Sequence, residues 1–341
     1  MKKEESKVIA QKFQKIPNGT LALKHCRAGG TGTTLFGEQF RAVTAGKEGV
    51  MEAYETFPGI EVSFNVFLAS EIKFQHDASD SVLEIYYCRS GRVGWNMQGG
   101  TAVYLGTGDV TAHSMACCAD SAMMFPLGYS EGISISVDLK QLSSICPEVL
   151  KNAGVEADQL RDRFCSGKPS AIPSCSDLEH IFAPLFSAPV SVRISLLKLK
   201  VLEILIYLSN MKSEHKELTQ YFSQQTELIK EIHQQLTEHL DQRFTIAELS
   251  KQYLINTSTL KEIFKAVYGQ PIATYMKEFR VRQAMKLLRE TNDTIADIAS
   301  QVGYQTQGKF SSAFQSIVKM SPREYRKIQG IAPSDSFSKT L

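Results

Sequence analysis

The chain repeats itself near its C-terminal end. Thr245-Ile-Ala-Glu-Leu249 returns 49 residues later as Thr294-Ile-Ala-Asp-Ile298, and Leu260, Phe264 and Tyr275 return 50 residues later as Phe310, Phe314 and Tyr325. One residue added in the second copy's turn explains the change of offset. A duplicated segment of this length is one supersecondary unit used twice. Each copy opens with Thr-x-x-acid, where the Thr hydroxyl can take the third amide and the acid can reach back, so a short helix starts there. Apolar residues at three- to four-residue spacing then mark a second helix, Thr257 to Gly269 in the first copy and Thr306 onward in the second. Two helices joined by a tight turn make a helix-turn-helix. Ala247 with Ser250, and Ala296 with Ala299, are small enough to let the paired helices cross closely.

The spacer between the copies begins at Pro271, which suits a first helical turn because its missing N–H costs nothing there. It runs to Glu290, about 20 residues and so about 30 Å, close to the ~34 Å repeat of a B-DNA major groove. Charge points the same way. The formal net charge is only +2, yet 14 lysines and arginines face 7 acidic residues between Arg243 and Gln329, which leaves the remainder net negative. Lys277, Arg280, Arg282, Lys286 and Arg289 along the spacer are placed where they could meet phosphates without choosing a sequence.

The remaining chain reads differently. A length of 341 residues suits two domains, and 43% hydrophobic with 22% charged residues excludes wholesale disorder and a fibrous repeat. Residues 1–50 hold a Gly/Thr-rich patch from Gly29 to Thr34 that predicts turns more than any regular element. From Ile60 to Leu139, short runs of Val, Ile, Tyr and Phe are broken by Gly, Asp and Pro; Ile60 to Leu68, Val82 to Cys88 and Ile133 to Leu139 are examples. Such spacing predicts an antiparallel β sandwich or barrel. Asp177 to Phe186 and Ser191 to Met211 follow as helices; the second is apolar around most of its circumference and is the candidate for an interdomain or dimer contact. The expected class is therefore α+β: a β sandwich or barrel-like domain with flanking helices over 51–211, a linker over 212–225, an all-α tandem helix-turn-helix domain over 226–329 and a tail over 330–341.

The segment Ile295-Ala-Asp-Ile-Ala299, Val302-Gly-Tyr304, Phe310, Phe314 and Ser321-Pro-Arg-Glu-Tyr-Arg326 resembles the signature of the AraC/XylS family of bacterial transcription regulators. The resemblance covers Thr226 to Ile328. It implies a double-stranded DNA partner, RNA polymerase as a further partner, a cytoplasmic activator, and an N-terminal domain that senses a small effector or forms a homodimer. Carried across by position, it implies that Ser258, Lys261 and Glu262 face bases in the first unit, with Lys265 reaching the backbone. In the second unit Gln307, Gly308, Ser311 and Ser312 face bases, with Lys309 and Gln315 beside them; Lys277 and Arg280 add affinity from the spacer. Lys261 could donate to guanine O6/N7 and Gln307 could bridge adenine N6/N7. Glu262 and Ser312 stand where many relatives carry Arg, Gly308 lowers helix propensity by ~1 kcal/mol, and Lys319 replaces the usual turn Gly. The first unit is therefore expected to dominate base readout.

Other chemistry finds little support. Seven cysteines are an odd number with no CxxC pair, which fits free thiols; Cys117 and Cys118 read as packed rather than as a redox pair. The N-terminus lacks a secretory h-region, and Ile194 to Leu208 is interrupted by Lys198, Lys200 and Glu203, so no membrane partner is expected. Gly46-Lys47 lacks the upstream Gly of a phosphate loop, and Ser195 with Lys198 has no companion catalytic motif. An enzyme built on a metal barrel would need more than His76, Asp77, Glu84 and His113; these read as surface or satisfied strand residues, and neither a metal nor a cofactor is expected. Tyr86, Arg89 and Trp95 cluster around a predicted hairpin and are the candidate effector-binding residues.

Overall fold

The computed structural model describes residues 21–25, 41–44, 48–75, 78–97, 99–118, 121–165, 169–211 and 217–329. The chain forms two compact units, 1–223 and 224–341. The Gly29 to Thr34 patch, His76, Asp77 and the tail from 330 lie outside the described residues.

The N-terminal unit is built on two sheets. The larger runs β1 (Leu21–His25), β3 (Glu48–Phe57), β4 (Ile60–Leu68), β11 (Ser130–Asp138), β6 (Val82–Gly91), β9 (Val110–Ser114) and β12 (Ser170–Ile172), in that spatial order. The smaller runs β13 (Tyr221–Phe222), β8 (Thr101–Leu105), β7 (Val93–Met97), β10 (Ala122–Met124), β5 (Glu71–Gln75) and β2 (Arg41–Thr44). All described pairings are antiparallel except β1 with β3. Strands β1 and β2 fall in the stretch expected to lack regular elements, and β13 falls in the expected linker; ladder pairing with distant strands, invisible to local pattern, recruits them.

Both faces of the larger sheet are covered. On its outer face Ile60, Leu83, Ile85, Ile133 and Ile135 pack with helices α3 (Ala157–Phe164), α4 (Ser176–Ser187) and α5 (Arg193–Asn210). Short helices α1 (Leu139–Ser144) and α2 (Glu148–Asn152) complete this layer. Its inner face and the smaller sheet share a second core that includes Phe67, Tyr86, Trp95, Met97, Val103 and Leu105. The layers are helix, sheet, sheet. Double coverage explains why Val82 to Cys88 is buried without interruption. The expected contact helix α5 turns Leu197, Val201, Ile204, Leu205 and Leu208 into this unit's own core. Pro184 inside α4 frees the carbonyl of His180, and Lys200 Nζ donates to it at 3.1 Å.

The C-terminal unit is all helical: α6 (Ser223–Glu238), α7 (Ile246–Gln252), α8 (Thr257–Tyr268), α9 (Ile272–Glu290), α10 (Ile295–Gln301), α11 (Gln307–Val318) and α12 (Pro322–Gln329). Helix α6 starts three residues before the expected Thr226. Aromatic rings tie α6, α8 and α9 together: His233 stacks on Tyr268 at 4.2 Å, and Phe264 lies 5.7 Å from Tyr275. The second copy packs Phe310, Phe314, Ile298 and Tyr325 with Val281, Ala284 and Leu288 of α9.

His233 also shares a 2.8 Å hydrogen bond between Nε2 and the Tyr275 hydroxyl. Burial pushes its pKa down to about 4 from the ordinary 6.5. Between those values the unfolded chain holds a proton that the folded chain does not, so stability present above pH 6.5 is lost as pH falls toward 4. Amide hydrogen exchange in α8 and α9 is therefore expected to be faster at pH 5 than at pH 7, after correction for intrinsic rates. His233→Gln should remove most of that pH dependence; an equal dependence in the variant would contradict the assignment.

Candidate nucleic-acid interface

The two copies are closed by the same devices. Thr245 accepts from the Glu248 amide while Glu248 accepts from the Thr245 amide, and Thr294 with Asp297 does the same. The hydrogen bonds from Thr245 hold the Glu248 carboxyl below the usual carboxylate range. Asn256 caps α8 through Thr259 N, and Thr306 caps α11 through Lys309 N. Each short helix, α7 or α10, thus meets a capped second helix at a fixed turn.

Burial sorts the faces of α8 and α11. Leu260, Ile263, Phe264 and Val267 are inside on α8, as are Phe310, Ala313 and Phe314 on α11. The opposite face of α8 exposes Ser258, Lys261, Glu262 and Lys265. That of α11 exposes Gln307, Gly308, Lys309, Ser312 and Gln315, with Ser311 half-buried. Ser258 Oγ donates to the capping Asn256 Oδ1 at 2.7 Å, so its hydroxyl serves the helix terminus. A Cβ added at Gly308 would meet open space.

The spacer α9 departs from expectation. Arg280 donates to the carbonyls of Gln242 at 3.0 Å and Gly303 at 3.4 Å, and is half-buried between the copies. Its guanidinium fastens the turn of the second copy to the chain before the first. Arg289 donates to Tyr325 Oη at 2.9 Å, Arg282 lies over the Tyr275 ring, and Lys286 pairs with Glu290. Lys277 is exposed. It borders a groove of about 510 Å³ that Arg243, Arg280, Phe244, Ile246 and Met276 also line.

Residues 249–328 match the family model described as a helix-turn-helix domain. Over 84 residues, 25% of this chain and 28% of the relative, the sequence is 39% identical to a putative AraC-like transcription regulator of Streptomyces lividans. Over 91 residues, 27% of this chain and 33% of the relative, it is 34% identical to the HTH-type transcriptional activator RhaR of Mannheimia succiniciproducens. Over residues 249–328 the C-terminal unit is a helix-turn-helix domain, similar there to those of AraC-like regulators. The chain spans about a third of the length of the curated relatives it matches. Among solved structures, the C-terminal domain of AraT, a response regulator from Geobacillus stearothermophilus, is 26% identical and covers 33% of this chain and 93% of its own, with a TM-score of 0.31.

The other candidate residues do not converge. Period-two alternation on β6 sends Tyr86 to the inner face and Arg89 to the outer one. Tyr86 and Trp95 are buried together between the sheets, 5.0 Å apart, whereas Arg89 bonds Glu131 at 2.9 Å and lies over the Phe186 ring. They form no common effector pocket. Glu84 is not at a barrel mouth: it is buried, with a hydrogen bond from Ser136 to its carboxyl, and only its Oε1 is left without a partner. Cys117 and Cys118 are partly buried against the inner core, and burial pushes the Cys118 thiol well up. Lys198 lies over the Phe57 ring. Among the described residues no group of three His, Cys, Asp or Glu could hold a metal ion, and no helix is long and apolar enough to cross a membrane.

Within the helix-turn-helix domain the two copies have exchanged their left-handed residues. The first has Leu254 in its turn at φ 52° and Gly269 at its helix end; the second has Gly303 in its turn and Lys319 at its helix end at φ 63°. Leu254 is 94% exposed, so nothing in its packing offsets the strain. A Cβ at Gly303 would collide with the Leu240 carbonyl oxygen, which makes that glycine obligatory. Left-handed strain of about 1–2 kcal/mol exceeds the roughly 0.4–1 kcal/mol of added unfolded-state entropy. Leu254→Gly and Lys319→Gly are each expected to stabilise the domain by up to about 1 kcal/mol, and Gly303→Ala to destabilise it by about 1–3 kcal/mol. Denaturant melts read this directly; a loss of stability in both Gly variants would contradict it.

Proposed function

We propose that this protein is a sequence-specific, DNA-binding transcription regulator whose N-terminal unit senses a small effector or mediates dimerisation. The observation that carries the reading is the pair of recognition helices, α8 and α11, each anchored by an apolar face and each exposing polar and basic side chains. Their joint scaffold α9 has 19 residues and is about 28 Å long, which suits successive major grooves on one side of a duplex. Lys261 and Gln307 are the base-reading side chains in this reading, and Lys265, Lys277 and Lys309 meet phosphates. Effector binding would shift a pre-existing equilibrium between states with different DNA affinity. The sequence resemblance adds RNA polymerase as the partner of the DNA-bound form.

Fluorescence anisotropy with the duplex upstream of the protein's own gene tests these roles. Lys261→Ala should relax preference at one base pair, losing about 1–3 kcal/mol of discrimination. Lys277→Ala should weaken all duplexes alike and reduce the salt slope by about 1. Arg280→Ala should lower thermal stability as well, because two carbonyls lose their donor. If Lys261→Ala and Lys277→Ala both left DNA binding unchanged, the groove assignment would be wrong.

A further inference from the structure

The groove beside Lys277 joins an apolar lining to positive charge that no acid cancels. Its volume is about 510 Å³, within the range of small-molecule sites, and every residue lining it belongs to the C-terminal unit. Leu236 of α6, Ile272 and Met276 of α9 and Ala313 of α11 are buried in its lining. Phe244 and Ile246, on either side of the Thr245 cap, are half-buried there, as is Tyr304 from the second copy's turn. Three cations complete the lining, and none of the lining residues is acidic. Arg280 is held by the Gln242 and Gly303 carbonyls, which satisfy two of its nitrogens without cancelling its charge. Burial, with Arg243 as a further contributor, holds the Arg280 pKa below its ordinary value, so the two guanidinium groups are close enough to repel. Arg243 and Lys277 are exposed, and among the described residues neither has a hydrogen bond or an ion pair.

This combination selects a ligand class. A neutral hydrocarbon would cover part of the cations and cost their hydration without replacing it. Inorganic phosphate would answer the charge and leave Phe244, Ile272 and Met276 with no apolar surface to bury. We infer that the groove binds a small organic carboxylate with an apolar body, its carboxylate on Arg243 and Lys277 and its body against Phe244, Ile272 and Met276. The planar fork of Arg243 matches a carboxylate through two parallel hydrogen bonds, and Lys277 adds a point charge. The flexible thioether of Met276 adapts to either an aliphatic or an aromatic body. Arg280 contributes its field rather than a contact, because two of its nitrogens already donate to carbonyls.

Such a site is separate from any effector site in the N-terminal unit. Its effect on DNA rests on the functional reading above, in which Lys277 meets a phosphate. A bound carboxylate and the duplex then compete for the same ammonium group, and the ligand inhibits from within the helix-turn-helix unit. The competition is reciprocal: the carboxylate weakens the duplex by the factor by which the duplex weakens the carboxylate.

Isothermal titration of the full chain without DNA tests the site. The probes are 2-naphthoate, 4-phenylbutanoate and octanoate, each beside its primary amide, and inorganic phosphate. At least one carboxylate should bind at least ~10-fold more tightly than its amide and than phosphate. Arg243→Gln should weaken that carboxylate at least ~10-fold and leave the amide unchanged. Ala273→Glu should abolish carboxylate binding. Ala273 is exposed in the first turn of α9, one turn before Lys277, so an acid there suits the helix start and pairs with that lysine. In methyl-labelled protein the Met276 signal, assigned by its loss in Met276→Leu, should shift on binding. No binding by any carboxylate at ~1 mM, binding matched by the amide or by phosphate, a Met276 signal that stays in place, or binding unchanged in both charge variants would overturn the site. The bound carboxylate should also lower duplex affinity several-fold, and an unchanged affinity would overturn the competition. A chain that bound no duplex even without carboxylate would refute the DNA reading and leave the site standing.

Discussion

Burial of aromatic side chains against one long helix is the constraint on which the C-terminal unit depends. Phe264 meets Tyr275 near the start of α9, and Phe310 and Phe314 pack with Val281, Ala284 and Leu288 farther along it. Each buried aromatic removes on the order of 150–250 Å² from water, which fixes the roll of α8 and α11 about their own axes. The exposed faces of these helices are a consequence of that roll. Capping boxes at Thr245 and Thr294 set where each unit begins, and Arg280 locks the turn of one copy to the approach of the other.

The N-terminal unit uses one sheet in two ways. Apolar residues of β4, β6, β9 and β11 face the helices and supply the larger core. Their alternate neighbours face the second sheet, and several are polar. Shifting β4 by one residue would drive Glu61 into the helix layer, and shifting β6 would do the same to Glu84, so the polar ladder also fixes register.

Much of the architecture was legible because its signals are local. The duplication, the Thr-x-x-acid starts, Gly269 and the 3.6-residue spacing locate α7 to α11 closely, and the β texture of Ile60 to Leu139 marks the sandwich. What was hidden depends on distant pairing. Strands β1, β2 and β13 exist through ladders with β3, β5 and β8. Arg280 looked like a phosphate contact because its two carbonyl acceptors lie 38 and 23 residues away. Tyr86, Arg89 and Trp95 are close in sequence, but alternation along Val82–Gly91 puts Tyr86 and Arg89 on opposite faces of the sheet. Glu84 looked unremarkable because its row partners come from three other strands.

The central claim is that α8 and α11 enter neighbouring grooves of one duplex from a single rigid scaffold. Hydroxyl-radical footprinting on a duplex selected from a random library by the full protein tests it most directly. The account predicts two protected patches on the same face, about 10 base pairs apart, each responding separately to a substitution in its own recognition helix. A single protected patch that is indifferent to changes in either helix would contradict it.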